Sequence, residues 1–129
     1  MSEYVIVTDS SCDLPAKLVE ELELQVAPLA FLMGDKTYRN YPDNREMSPE
    51  EFYSRLAAGE MATTNAVNVG EATELLEPFL KEGKDVLVLG FSSGLSTTFN
   101  SFQRNNHGWT ICSILVGNWI HLTGRFLMP

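Results

Sequence analysis

The chain has 129 residues, 44% of them hydrophobic and 20% charged, with 9 Lys and Arg against 17 Asp and Glu for a formal net charge of -8. That is one domain's worth of chain, apolar enough to bury a core and too varied in composition for a disordered segment or a fibre. An acidic chain whose basic positions never cluster is excluded as a nucleic-acid binder, because it offers the phosphate backbone no positive stripe.

Met1-Ser2-Glu3 leads straight into Tyr4-Val5-Ile6-Val7, with no basic segment and no small-residue cleavage site. The expectation is a cytoplasmic protein whose two cysteines, Cys12 and Cys112, are free thiols. Residues 4–8 are apolar and β-branched and predict a buried strand, ended by Asp9-Ser10-Ser11. Asp13 then predicts an N-cap, with Pro15 in the first helical turn and Leu14, Leu18, Val19 and Leu22 at helical spacing. Residues 25–33 are apolar again, and Gly34-Asp35 before Lys36-Thr37-Tyr38-Arg39 predicts a turn into a short antiparallel strand.

Ser48-Pro49-Glu50-Glu51 predicts a capping box with Pro at the first helical position, and Phe52, Leu56 and Ala57 form that helix's apolar face. Thr63-Thr64-Asn65 reads on its own as a turn. Asn68 with Glu71 opens a further helix that buries Leu75, Leu76, Phe79 and Leu80, kinks at Pro78 and stops at Gly83. Residues 85–91 are apolar without alternation, the pattern of a strand buried on both faces. The fold class expected is α/β: three layers, with a mostly parallel sheet, flanking helices and a short antiparallel hairpin.

Charge breaks the chain in two. Residues 1–101 hold seven basic and all 17 acidic side chains, whereas residues 102–129 hold Arg104 and Arg125 and no acid. The later segment also lacks Ala, Lys and Tyr and contains both Trp and both His. It reads as an extension packed on the body, as a membrane-associated tail, or as sequence foreign to the fold, as after a frameshift; the last is the expectation here. Asn106, His107, Asn118 and His121 interrupt the uncharged run of residues 105–124, so no stable membrane span is expected. The division expected is an α/β domain over residues 1–103 and an atypical tail over residues 104–129.

The last predicted strand runs into Phe91-Ser92-Ser93-Gly94-Leu95-Ser96-Thr97-Thr98, and ligands of open α/β sheets sit at such carboxyl ends. Hydroxyls and freed N–H groups at a helix start suit an anion. The same residues also serve simply as a helix cap, and both readings stay open at this point. There is no G-x-G-x-x-G, no Walker loop with Lys and no Cys/His spacing for zinc, so neither a cofactor nor a metal is expected. A serine-hydrolase elbow needs glycine where Thr98 stands, and both histidines lie in the atypical tail. No catalytic residue is therefore expected. A small serine hydrolase using Ser96 and an interaction domain without a ligand are the alternatives.

Four segments together resemble the DegV family of bacterial fatty-acid-binding proteins. They are Val7-Thr8-Asp9-Ser10-Ser11-Cys12-Asp13-Leu14-Pro15; Val26-Ala27-Pro28-Leu29 with Gly34-Asp35-Lys36-Thr37-Tyr38-Arg39; Phe52-Tyr53 through Gly59 to Thr64; and Ser92-Ser93-Gly94-Leu95-Ser96. The resemblance spans about residues 3–103, in the family's order and spacing. It implies a non-enzymatic protein of two domains that holds a long-chain fatty acid between them, with the carboxylate on hydroxyls of the first domain, for presentation to a fatty acid kinase. Thr64 matches the threonine of the family's Thr-Ser-Gln-Pro motif, and Ser96 the serine after the leucine of its Ser-Ser-x-Leu-Ser-Gly-Thr motif. These two are the head-group ligands expected, facing one cleft, with Asn65, Ser93 and Thr97 as secondary candidates. Asn65, Ala66 and Val67 depart from the family's Ser, Gln and Pro, and Thr97 from its Gly. The family's second domain has no counterpart in these residues, which leaves the ligand tunnel one wall and an apolar surface inclined to self-association.

Overall fold

Two three-stranded sheets form the frame. The computed structural model describes residues 3–91 and 96–104. In the first sheet β1 (Tyr4–Asp9) lies between β2 (Gln25–Ala27) and β6 (Asp85–Leu89), all parallel, in the order β2-β1-β6. Val5 and Val7 of β1 stand opposite Val86 and Val88 of β6, and all four are buried. They pack with Ala72 and Leu76 of α3 (Val69–Lys81) and with Phe99 and Phe102 of α4 (Thr98–Arg104).

The face turned the other way is only partly covered. Burial along β6 alternates, with Leu87 and Leu89 half-buried between the fully buried valines, which corrects the reading of this strand as buried on both faces. The physical reason is coverage: α3 and α4 share one side of the sheet, and among the described residues the side of Ile6, Thr8, Leu87 and Leu89 has no equivalent helix pair.

The second sheet is antiparallel, in the order β4-β3-β5, built from β3 (Ala30–Met33), β4 (Lys36–Arg39) and β5 (Ala62–Asn65). The expected hairpin is present, with Gly34 at φ 65° in its two-residue turn. It belongs to a sheet of its own rather than to the edge of a mixed one. A small core of Met33, Tyr38 and Met47 sits beneath α2 (Pro49–Ala57), whose Phe52 and Leu56 pack on it together with Phe31. The α/β class and the parallel sheet with an antiparallel hairpin agree with the expectation from the residues.

Three local readings change. Thr63-Thr64-Asn65 is strand, not turn: the two threonines pair with Leu32 and Phe31, and β-branched side chains suit a pleated ladder. Asp13 does not cap α1 (Ala16–Glu21). It takes a left-handed conformation at φ 51° and ψ 29°, closing a single 3-10 turn over Ser10–Cys12, and an N-cap requires extended backbone. Pro15 occupies the N-cap position instead, and α1 has no fully buried residue. At α2, Ser48 accepts the Glu51 N–H at 3.1 Å, while the Glu51 carboxylate lies 3.8 Å from Arg55. The helix α3 continues through Pro78 to Lys81.

Candidate functional site

The chain crosses from the first sheet to the second at Pro28-Leu29, and the crossing is pinned by a side chain from β1's end. Ser10, buried, accepts the Leu29 N–H at 2.9 Å and approaches Asn40 Nδ2 at 3.4 Å. Asp9, also buried, accepts the Ser11 N–H at 2.9 Å and the Ser11 hydroxyl with one oxygen, and the Phe91 N–H at 3.4 Å with the other. The Asp9-Ser10 pair thus ties the carboxyl ends of β1 and β6 to the start of β3. A buried carboxylate requires such donors, since a charge without partners is costly in the interior.

A second tie lies at the start of α4. Thr98 is fully buried, and its Oγ1 accepts the Val67 N–H at 3.2 Å. Ser96, half-buried, stands with its Oγ 3.1 Å from Thr98 Oγ1 and accepts the Thr98 N–H at 3.2 Å. Thirty-one residues separate Val67 from Thr98, so this bond joins the segment after β5 to the segment after β6. Helix α4 has only seven residues, so its hydroxyls carry more of any anion-holding capacity than its dipole does.

The structure places four of the five candidate ligand residues, Thr64, Asn65, Ser96 and Thr97. Thr64 lies on β5 opposite Phe31, with an exposed side chain, on the face of the second sheet that carries Phe31 and Tyr38. Asn65, also exposed, pairs with Ala30 and turns to the other face, together with Arg39. Thr97 is exposed, and its carbonyl accepts the Ser101 N–H at 3.2 Å. Ser93 lies outside the described residues. The structure joins the Ser96 segment to the backbone two residues beyond Asn65, and Thr64 sits one residue further back on the same strand.

Arg39 of β4 reaches Glu71 of α3 at 2.5 Å, which brings the second sheet against the helix that follows β5. Burial works against the Glu71 charge, but the Asn68 N–H and the Arg39 guanidinium outweigh it and hold the carboxyl below the usual glutamate range. Asn68 in turn accepts the Glu71 N–H at 3.0 Å and gives its own to Glu71 at 2.9 Å, the reciprocal box expected from the sequence. No local pattern in the sequence assigns Asp9, Ser10 or Thr98 a role. The signal available for them was position alone, polar residues directly after apolar strands.

A broad groove of about 1380 Å³ lies elsewhere, at the amino end of the parallel sheet, lined among others by Tyr4, Ile6, Leu22, Tyr41 and Phe79. Sheets of this type bind ligands at the carboxyl end, where Ser96 and Thr98 lie. Among the described residues there is no cluster of His, Cys, Asp and Glu able to hold a metal ion, and no helix long and apolar enough to cross a membrane.

Comparison with known proteins agrees with the fold. The model of the DegV family, described as uncharacterised proteins, matches residues 3–108, and the chain belongs to that family. A DegV domain-containing protein of Clostridium perfringens is 38% identical over 101 residues, which is 78% of this chain and 34% of that protein. One from Caldanaerobacter subterraneus is 34% identical over the same length. The chain spans about a third of the length of these curated relatives. Among solved structures, a fatty-acid-binding DegV family protein from Thermus thermophilus superposes with a TM-score of 0.74 at 28% identity, over 88% of this chain and 40% of that one. The DegV protein of Bacillus subtilis, described as a fatty acid binding protein, gives 0.74 at 27% identity, again over 88% and 40%.

Proposed function

We propose that this chain binds a long-chain fatty acid, holding its carboxylate through the hydroxyls of Thr64 and Ser96. The observation that carries the reading is the Val67 to Thr98 hydrogen bond, which fastens the strand bearing Thr64 to the segment bearing Ser96. Asn65, Ser93 and Thr97 are the secondary ligands of this reading. Support comes from the relatives of Thermus thermophilus and Bacillus subtilis, described as binding fatty acids. The carboxylate gains about 1.5–3 kcal/mol from each charge-assisted bond, against several kcal/mol of lost freedom. Burial of the acyl chain at about 0.8 kcal/mol per methylene supplies the remainder.

Binding rather than catalysis suits the site, because among the described residues the Ser96 hydroxyl meets another hydroxyl. The setting proposed is cytoplasmic, with presentation of the carboxyl group to a fatty acid kinase as the role of the complex. Residues 104–129 are proposed to be foreign to a domain that ends near residue 103. Native mass spectrometry of the bacterially expressed chain tests the function: co-purified C16–C18 acids are the expected result, and acyl-serine formation on an activated ester would favour a hydrolase instead. Ser96→Ala should weaken binding by about one charge-assisted bond, roughly 1.5–3 kcal/mol, with the fold retained. Unchanged affinity would remove Ser96 from the site.

A further inference from the structure

We infer that Thr98 is a positioning residue that sets the direction of the Ser96 hydroxyl, through a hydrogen-bond relay running from the Val67 N–H through the Thr98 hydroxyl to the Ser96 hydroxyl and on to the ligand's carboxylate. The inference rests on the carboxylate reading above and assigns a role to two residues outside that ligand set.

Each hydroxyl has one proton to donate and two lone pairs with which to accept. The pair Ser96 Oγ and Thr98 Oγ1, 3.1 Å apart, shares one proton, and either oxygen can be its donor. If Ser96 donates to Thr98, its only proton is spent and it has nothing to offer an anion. If Thr98 donates to Ser96, the Ser96 proton is released toward the ligand. The backbone fixes one acceptor position on each hydroxyl, and the ligand decides between the two. Val67 N–H points at Thr98 Oγ1 at 3.2 Å and occupies one of its lone pairs, and Thr98 N–H occupies one on Ser96 Oγ at 3.2 Å. Neither N–H can reverse, so an anion beyond Ser96 aligns every donor in one direction, and bonds aligned in series polarise one another.

Thr98 is fully buried, so water does not compete for its proton. Val67 supplies the donor that starts the relay, and a proline at this position would have no N–H to give.

The test uses the full 129-residue chain with oleate labelled with carbon-13 at the carboxyl, titrated by calorimetry and followed by NMR as pH is lowered. Thr98→Val keeps the side-chain shape and removes the hydroxyl; it should weaken oleate binding by about three- to tenfold and raise the pH at which the bound carboxyl titrates. Thr98→Ser should stay within about twofold of wild type, since it restores the hydroxyl. Val67→Pro removes the first donor and also trims a buried core side chain. It should weaken binding by about two- to threefold in the wild-type background and add nothing in the Thr98→Val background, because both changes break one series. Equal affinity and carboxyl titration in Thr98→Val and wild type overturn the relay while leaving the Ser96 ligand in place. Additive losses in the double variant overturn it too. Should Thr98→Val fail to fold, Val67→Pro with an unchanged carboxyl titration overturns it alone. Wild-type binding by Ser96→Ala, or no oleate binding by any form, removes the carboxylate reading itself and the relay with it.

Discussion

A Cβ added at Gly90 would meet Phe99 Cδ2 at 2.7 Å and Phe99 Cβ at 3.3 Å. The approach is needed because Phe99, buried at the start of α4, seals the end of β6 immediately before the Ser96 segment. Phe99 cannot yield easily, since it packs within the same cluster as Val88 and Phe102. Gly90→Ala is therefore expected to destabilise the domain by about 1–3 kcal/mol through overpacking, seen as a lower denaturation midpoint with an unchanged slope. Restoration by a second change that trims the ring, Phe99→Leu, would identify the clash as the cause. Equal midpoints for Gly90→Ala and wild type would show that the ring has room to move.

Among the elements, α3 should respond to acid through Glu71. Glu71 closes the capping box at its start and also meets Arg39, and its carboxyl titrates below its ordinary value. A carboxyl lowered in the folded state contributes stability above its unfolded pKa, and that contribution disappears as pH falls through the folded value. Wild type should exceed Glu71→Gln in urea midpoint at neutral pH, with the gap closing as pH falls below the ordinary glutamate range. A gap independent of pH would assign the effect to packing. The same helix shows what the residues disclosed in advance. Ser48, Asn68 and Glu71 announced α2 and α3 because a cap acts within four positions of itself, and the Gly34-Asp35 turn announced its hairpin likewise. Asp13 misled because its side chain suits a cap whereas its backbone is left-handed, and only the three-dimensional path of the chain sets that. Thr63-Thr64-Asn65 has the composition of a turn and becomes strand through pairing with a partner some thirty residues away. Ser10 and Thr98 stayed hidden for the same reason. Their bonds span 19 and 31 residues, and no local pattern encodes them.

At the scale of the whole molecule, the half-covered face of the parallel sheet is the feature with the widest effect. Parallel sheets are ordinarily covered on both sides. Here Ile6, Leu87 and Leu89 are half-buried, and Tyr4 and Leu22 beside the amino-end groove are 68% and 55% exposed. Self-association is the expected consequence, seen as a sedimentation coefficient that rises with concentration. A monomer at every concentration, unfolding cooperatively and losing stability when residues 104–129 are removed, would instead make that segment an integral part of the domain.

The two sheets have separate cores, Val7 with Val88 and Phe102 in one, Met33 with Tyr38 and Met47 in the other. Among the described residues the side-chain ties between them are few: Ser10 to Leu29 and Asn40, Thr98 to Val67, and Arg39 to Glu71. Such a division makes two cooperative units of unequal strength, and the smaller core should open first. Amide hydrogens of β3, β4 and β5 should therefore exchange with deuterium earlier than those of β1 and β6, as a group. Because Thr64 belongs to the weaker unit and Ser96 to the end of the stronger one, a bound carboxylate would act as a clasp between them. Fatty acid should then slow exchange chiefly in the antiparallel strands, including at amides far from any atom the ligand touches.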